Sequence, residues 1–430
     1  MMLKTFEYAK LTAADLQQIT KRNTDPANTI QDTVLDIIQE VRQKGDQALI
    51  NYAKQFDKVE LEKLYLETDE IDALASTINR DQQRALEIAF QNIHKFHSSQ
   101  VKRERVVETM PGVKCWREIR PIEKVGLYIP GGSAVLPSTL LMLGIPARIA
   151  GCKEIVVCSP PQKSGKINGF VAYCLRLLKI ERIYLVGGAQ AVAAMAFGTE
   201  TIPQVDKIFG PGNQFVTKAK SIVQGISNVS IDMPAGPSEV LVIADETANP
   251  AFIAADLLAQ AEHGADSQAV LVATSKSIIA EVNLELEKQL AVLPRFELAS
   301  KAIENSYAIL VQDLQQAILF SNQYAPEHLI LETDQWEPFV RFILNAGSVF
   351  LGHLTPESAG DYASGTNHTL PTSGYARSYS GVSVDSFVKK VTFQHISSEG
   401  LINIGSTVEI LAELEGLQAH KNAVTIRKEK

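Results

Sequence analysis

The sequence predicts an α/β protein with two doubly wound, Rossmann-like but incomplete domains, a helical N-terminal arm and a small C-terminal tail. Three observations predict it. The chain has 430 residues, too many for one ordinary core. From about Val125 onward, apolar strand-like runs alternate with helix-like stretches, the pattern of parallel sheets with right-handed crossovers. Before that point apolar residues recur at helical spacing instead.

The elements follow in order. Between Gln31 and Asp57 the residues Val34, Ile37, Ile38 and Val41 form one helical stripe. Asp32 or Thr33 can cap its start, Gly45 can end it, and Asp46 offers a second cap, giving an antiparallel helical pair or arm. Val125 to Gly151 reads as a short strand, a Pro-Gly-Gly turn and a small-residue helix. Glu154 to Pro161 is a further strand, and Ile183 to Thr199 and Lys207 to Lys220 each repeat strand, glycine turn and helix. A second α/β pattern has strands at Glu239–Glu246 and Ala269–Ser275 around a helix, with others beginning at Ala308, His328 and Ser348. The expected division is an arm at 1–24, a first α/β domain from 25–124 together with 237–381, a second at 125–236, and a tail at 382–430. A tail this small cannot form its own core, so it must pack on the body or on another subunit.

Apolar residues at 45% and charged residues at 21% are ordinary for globular protein and exclude a disordered chain. The formal net charge is -8, with no Lys/Arg run of the kind that tracks nucleic acid. The densest basic patch, Lys102, Arg103 and Arg105, is broken by Glu104 and reads as a solvated face. The N-terminus lacks a signal-peptide core, and no segment reaches the roughly 18 apolar residues of a membrane span. The expectation is a cytoplasmic protein with no nucleic-acid or membrane partner. Cys115, Cys152, Cys158 and Cys174 show no metal-type spacing and read as small buried hydrophobes.

Chemistry is expected beyond the carboxyl ends of the strands. Gly131-Gly132, Gly187-Gly188 and the turn from Gly210 to Gly212 fall there. Each is either a tight turn or a place where backbone N–H groups meet a phosphate, and three in one domain favour a phosphate-bearing ligand, although no GxGxxG fingerprint is present. Gln260 and His263 share a helix face at i, i+3 and could reach one metal ion, with Asp266 orienting the imidazole; alternatively His263 only caps a helix end. Glu327 and His328 stand side by side after a proline and before a strand, either as an acid–base pair or as an ordinary exposed pair. Ala359 to Arg377 is a long irregular stretch, poor in large apolar side chains, that holds Asp361 and His368. Glu415 and His420 near the C-terminus read by themselves as a polar helix end.

Together these stretches resemble the histidinol dehydrogenase family. VGLYIPGG, IYLVGGAQA, KIFGPGN, DMPAGPSEVLVIAD, AQAEHGADSQ, YAPEHL, GDYASGTNHTLPT and EGLQAHKNA occur in the family's order, and the likeness runs along nearly the whole chain. The resemblance implies Gln260, His263, Asp361 and His420 as ligands of one Zn²⁺ per subunit, an oxygen and nitrogen set that suits the ion. It implies Glu327 and His328 as the catalytic pair, and Ser238, Gln260, His263, His328, Asp361, Glu415 and His420 around the substrate. Tyr128, Gln190 and Asn213 match residues that hold NAD, and His368 has a supporting role. The implied reaction takes L-histidinol through L-histidinal to L-histidine, the last steps of histidine biosynthesis. The implied assembly is a homodimer with exchanged tails, Glu415 and His420 completing the partner's site. Two other enzymes remain open: an NAD-dependent dehydrogenase of another small amino or sulfonated alcohol, and a zinc hydrolase on the same fold. A binding module without catalysis is the rival from another class.

Overall fold

A computed structural model describes residues 2–22, 28–102, 104–131, 136–234 and 236–429. Arg103, Gly132 and the Ala235 of the DMPAGPSEV stretch lie outside the described residues. Two six-stranded sheets dominate. The first runs, in spatial order, Lys4–Glu7, Tyr307–Leu310, Gln268–Ala273, Glu239–Ala244, His328–Glu332 and Ser348–Leu351, every neighbouring pair parallel. The second runs Tyr65–Glu67, Arg182–Tyr184, Glu154–Cys158, Lys124–Tyr128, Lys207–Phe209 and Ser230–Ile231, parallel except for its antiparallel edge strand Tyr65–Glu67.

Both sheets are apolar on both faces, as crossover connections require. In the strand Glu239–Ala244 the residues Val240 and Val242 pack on the helices Pro250–Ala261 and Lys276–Leu290, while Leu241 and Ile243 face Leu314–Tyr324 on the other side. The N-terminal segment belongs to this lobe. It is a strand followed by the helix Ala13–Thr20, so the expected helical arm is in part a sheet edge, and Leu16 and Ile19 cover the same face as Leu314–Tyr324.

The placement of residues 28–98 corrects the expected division. The helix Asn28–Lys44 starts before Asp32 and Thr33, and its stripe of Val34, Ile37, Ile38 and Val41 packs on Tyr128, Val156 and Ala191 of the second lobe. Each of these side chains is almost fully buried and contributes about 1.5–3 kcal/mol. The helices Thr68–Ala75 and Arg80–Ser98 cover that sheet's other face. Helical periodicity says that a face is buried but not against which sheet, and these helices pack on the sheet that follows them in the chain and not on the remote one expected. Gly45 breaks the first helix from Asp46–Tyr52 as expected, at φ 52°.

A third, antiparallel sheet was not foreseen. Val388–Ile396 pairs along its length with Val113–Pro121, which pairs with Val107–Met110. The tail therefore packs on its own chain through backbone ladders, and then forms a hairpin of the helices Ser398–Leu414 and Gln418–Lys428. No helix among the described residues is long and apolar enough to cross a membrane.

Candidate active site

The first cluster lies at the amino-terminal edge of the first sheet. Glu327 precedes the strand His328–Glu332, and Ser238 precedes Glu239–Ala244. Pro250–Ala261 carries Gln260 in its last turn and delivers His263 just before the strand Gln268–Ala273. This reverses the strand-end expectation for these residues. The reason lies in the backbone: the N–H of a strand's first residue can lie outside the ladder, and Glu239 N–H donates to Glu327 Oε2 at 2.9 Å.

His328 is the centre of the cluster. Its Nδ1 lies 3.7 Å from Glu327 Oε2 and 3.6 Å from Glu357 Oε1, and its Nε2 lies 3.5 Å from Asp361 Oδ1. The Nε2 atom is buried without a hydrogen-bond partner, as is Nε2 of His368. Burial works against a charged imidazole, but Glu357, Glu327 and Asp361 outweigh it and raise the His328 pKa to about 10. Burial lifts Glu327 to about 7 against the pull of His328. Burial also pushes Asp361 upward, yet the imidazoles of His328, His368 and His263 hold its carboxyl below the usual range.

His263, Glu357 and Asp361 each offer one ligand atom, and these atoms lie within 4.8 Å of one another. Gln260 is fully buried beside them; with its amide nitrogen toward Glu357 it donates to Oε1 at 2.5 Å and accepts from Glu239 N–H at 3.1 Å. The donor set and the orphaned imidazole nitrogens fit a divalent cation. The helix Glu357–Tyr362 holds both of its carboxylates here. Glu357 was not singled out from the sequence, although its i, i+4 spacing from Asp361 marks a common helix face. Glu415 and His420 lie exposed on the C-terminal hairpin and are not part of the cluster of His263, Glu357 and Asp361. Ser238 is half-buried, and its carbonyl accepts the Gln268 N–H at 3.1 Å.

The irregular stretch after Asp361 is tied to the second lobe. Asn367 donates to the Met142 carbonyl at 2.6 Å and sits 3.4 Å from Nε2 of the buried His97, whose Nδ1 lies 2.9 Å from the Ile93 carbonyl. Neither Asn367 nor His97 carried a sequence signal, because only the tertiary fold brings Arg80–Ser98 to this loop.

Tyr128, Gln190 and Asn213 line a single cavity of about 830 Å³ with Phe56, Asp57 and Pro160, at the carboxyl ends of the second sheet's strands. The strand-end rule holds here. The helix Gly188–Phe197 starts without a side-chain cap, and Gly188 N–H donates to the Tyr128 hydroxyl at 3.2 Å. Gly210 has φ 128°, and a Cβ there would strike the Tyr128 carbonyl, so this turn admits only glycine. The amide oxygen of Asn213 caps Gln214–Ile226 by accepting from Phe215 and Val216 N–H.

The family model for histidinol dehydrogenase matches residues 20–428. The chain belongs to the histidinol dehydrogenase family. A histidinol dehydrogenase of Bacteroides thetaiotaomicron is 54% identical over 99% of this chain and 99% of its own. The chloroplastic histidinol dehydrogenase of Arabidopsis thaliana is 52% identical, covering 99% of this chain and 91% of that protein. The crystal structure of histidinol dehydrogenase from Elizabethkingia anophelis superposes with a TM-score of 0.96 at 52% identity, covering 99% of this chain and 98% of that one. Membership makes the chain an NAD-dependent oxidoreductase. The four cysteines are unpaired. Burial pushes the Cys152 thiol up to about 11 and raises Cys158 and Cys174 as well, which disfavours a reactive thiolate at these three positions.

Proposed function

We infer that the chain oxidises L-histidinol through L-histidinal to L-histidine, with Glu327 and His328 as its catalytic pair. The observation that carries this reading is the meeting of that buried pair with buried Glu357, half-buried Asp361 and exposed His263 at one sheet edge. Gln260, His263 and Asp361, with His420 from a partner's tail, would hold one Zn²⁺. Bound there, zinc would grip the substrate's imidazole and amine nitrogens and offset the surrounding carboxylate charge. NAD, held in the cavity of Tyr128, Gln190 and Asn213, is the acceptor for both oxidations.

His328 takes the hydroxyl proton in the first oxidation. It must enter this step neutral, and bound zinc would offset the carboxylates that otherwise hold its imidazole charged. Glu327 then takes a proton from the water that attacks the aldehyde, for which a carboxyl lifted towards neutrality by burial is suited. His328 assists again, and His368, half-buried with its Nε2 enclosed, supports the site by helping to hold the Asp361 carboxylate. Ser238 and Glu415 complete the substrate's surroundings. A dimer with exchanged tails accounts for Ile402, Ile410, Leu411 and Leu414 lying exposed on the terminal hairpin, an apolar face that a partner would cover. Unpaired cysteines suit a reducing compartment such as the cytoplasm.

The test is to follow NADH absorbance on mixing zinc-loaded protein with L-histidinol and NAD, beside a chelator-treated control. NADH formation that chelation abolishes and zinc restores, with histidine as product, is the expected result. Absence of NADH from folded, zinc-replete protein would discard histidinol as substrate and leave another amino alcohol or a hydrolase.

A further inference from the structure

Behind the catalytic pair lies a second buried cluster that the chemistry above does not use. Glu239 opens the central strand of the first sheet, and its side chain is almost wholly buried. Two donors hold its carboxylate: Arg22 Nε donates to Oε2 at 2.8 Å and Ser373 N–H to Oε1 at 2.8 Å, while the Tyr324 hydroxyl, whose nearer acceptor is Gln268 Oε1 at 2.7 Å, lies 3.3 Å from Oε2. Its backbone addresses both catalytic residues: the N–H donates to Glu327 Oε2 at 2.9 Å, and the carbonyl oxygen lies 3.4 Å from His328 Nδ1.

Arg22 is committed on every side. Its Nη1 donates to the Thr20 carbonyl at 2.5 Å, its Nη2 to the Tyr324 carbonyl at 2.9 Å, and its guanidinium carbon lies 3.3 Å from the centroid of the Tyr324 ring. A planar guanidinium can meet a carboxylate, two carbonyls and an aromatic face at once, which an ammonium cannot. Arg22 follows the helix Ala13–Thr20 by two residues, so one side chain joins the end of that helix to the residue that holds Glu327. A buried carboxylate without such partners would be costly. A plug serving stability alone would not require the backbone of the same residue to meet both catalytic side chains.

We propose that Arg22 and Glu239 are positioning residues for Glu327 and His328, making the N-terminal segment a working part of the active site. Glu239 holds one oxygen of Glu327 and leaves the other to take the proton from water. Ser373 N–H ties the same carboxylate to the loop that follows Asp361 and His368. Loss of the Arg22 charge lets Glu239 move, and Glu327 moves with it. The proposal rests on Glu327 acting in aldehyde oxidation.

The test uses the zinc-replete full chain, with alcohol and aldehyde oxidation measured separately and thermal unfolding recorded in parallel. Arg22→Met should lower kcat for aldehyde oxidation by about tenfold to a hundredfold, as small misplacements of reacting groups do. KM for histidinol and NAD should stay within about threefold, because the substrate contacts are untouched. Arg22→Lys should restore part of the loss. If Arg22→Met does not fold, Glu239→Gln and Tyr324→Phe serve instead, each keeping the shape of the cluster. A folded variant with unchanged kcat, or with its loss confined to KM, overturns the proposal. Glu327→Gln is run beside them. If it spares aldehyde oxidation, the role of Glu327 fails and this proposal with it; if it abolishes that step while Arg22→Met does not impair it, the positioning role alone fails.

Discussion

Glu327 Oε2 accepts the Glu239 N–H, and His328 Nδ1 stands 3.7 Å from the same oxygen. Replacing this carboxyl by an amide keeps its size and a hydrogen-bonding oxygen but removes the base. Glu327→Gln should therefore spare oxidation of L-histidinol to the aldehyde and cut oxidation of the aldehyde by about a hundredfold or more, the scale of general-base contributions. Stopped-flow measurement of NADH from each half-reaction checks this, and equal losses in both would end the division of labour between the two residues. Glu327 and His328 stand out in the sequence as an ionisable pair between a proline and a strand. Glu357, Glu239 and Arg22 do not, because a charged side chain in a single sequence reads as surface until the fold shows it buried.

The strand His328–Glu332 shows how one element is held at both ends. At its start Glu327 and His328 meet Glu239; at its finish His353 Nδ1 lies 2.7 Å from Glu332 Oε2 and His353 Nε2 lies 3.1 Å from Asp334 Oδ1. Burial lowers the His353 pKa, but Glu332 and Asp334 outweigh it and raise it overall. A histidine raised in the folded state stabilises fully below its unfolded value, about 6.5, and loses that contribution as pH rises through the folded value. The thermal midpoint of the natural chain should therefore exceed that of His353→Gln most at about pH 6, with the gap closing towards about pH 9. A gap that stays constant across that range would mean the contact works by packing and not by charge. Element type was legible in the sequence where apolar periodicity is strong, as in Glu239–Ala244 and Gln268–Ala273. The strand Val388–Ile396 escaped notice because most of its residues are exposed, so no buried alternation marks it.

At the scale of the whole molecule, the cluster around His328 sits at the amino edge of the first sheet and the cavity of Tyr128, Gln190 and Asn213 at the carboxyl edge of the second. Asn367, on the loop after Asp361, ties that loop to the second lobe by reaching Met142 and His97. His420 lies on the exposed terminal hairpin, outside the cluster formed by His263, Glu357 and Asp361. If a partner supplies it, chains carrying His420→Ala and chains carrying Glu327→Gln should complement each other. One of the two sites in a mixed dimer would then combine an intact Glu327 with an intact His420. Purified heterodimers carrying two different tags should recover up to about half the activity of the natural dimer, one working site of two. No recovery in verified heterodimers would place each tail on its own chain's site.

The sequence by itself determined which segments are strands and helices across most of both sheets, because burial on two faces leaves apolar runs and glycine turns that read locally. It also determined the family, through motifs that carry Gln260, His263, Glu327, His328, Asp361 and His420 in order. Only the tertiary structure decided that residues 28–98 cover the second sheet, that Glu327, His328, Glu357 and Asp361 gather at the amino ends of the first, and that Arg22 and Glu239 stand behind Glu327 and His328. The physical reason is that periodicity reports whether a face is buried, whereas its partner is chosen by three-dimensional fit. A buried charge, likewise, is recognised only by the groups that neutralise it, and these lie far away along the chain.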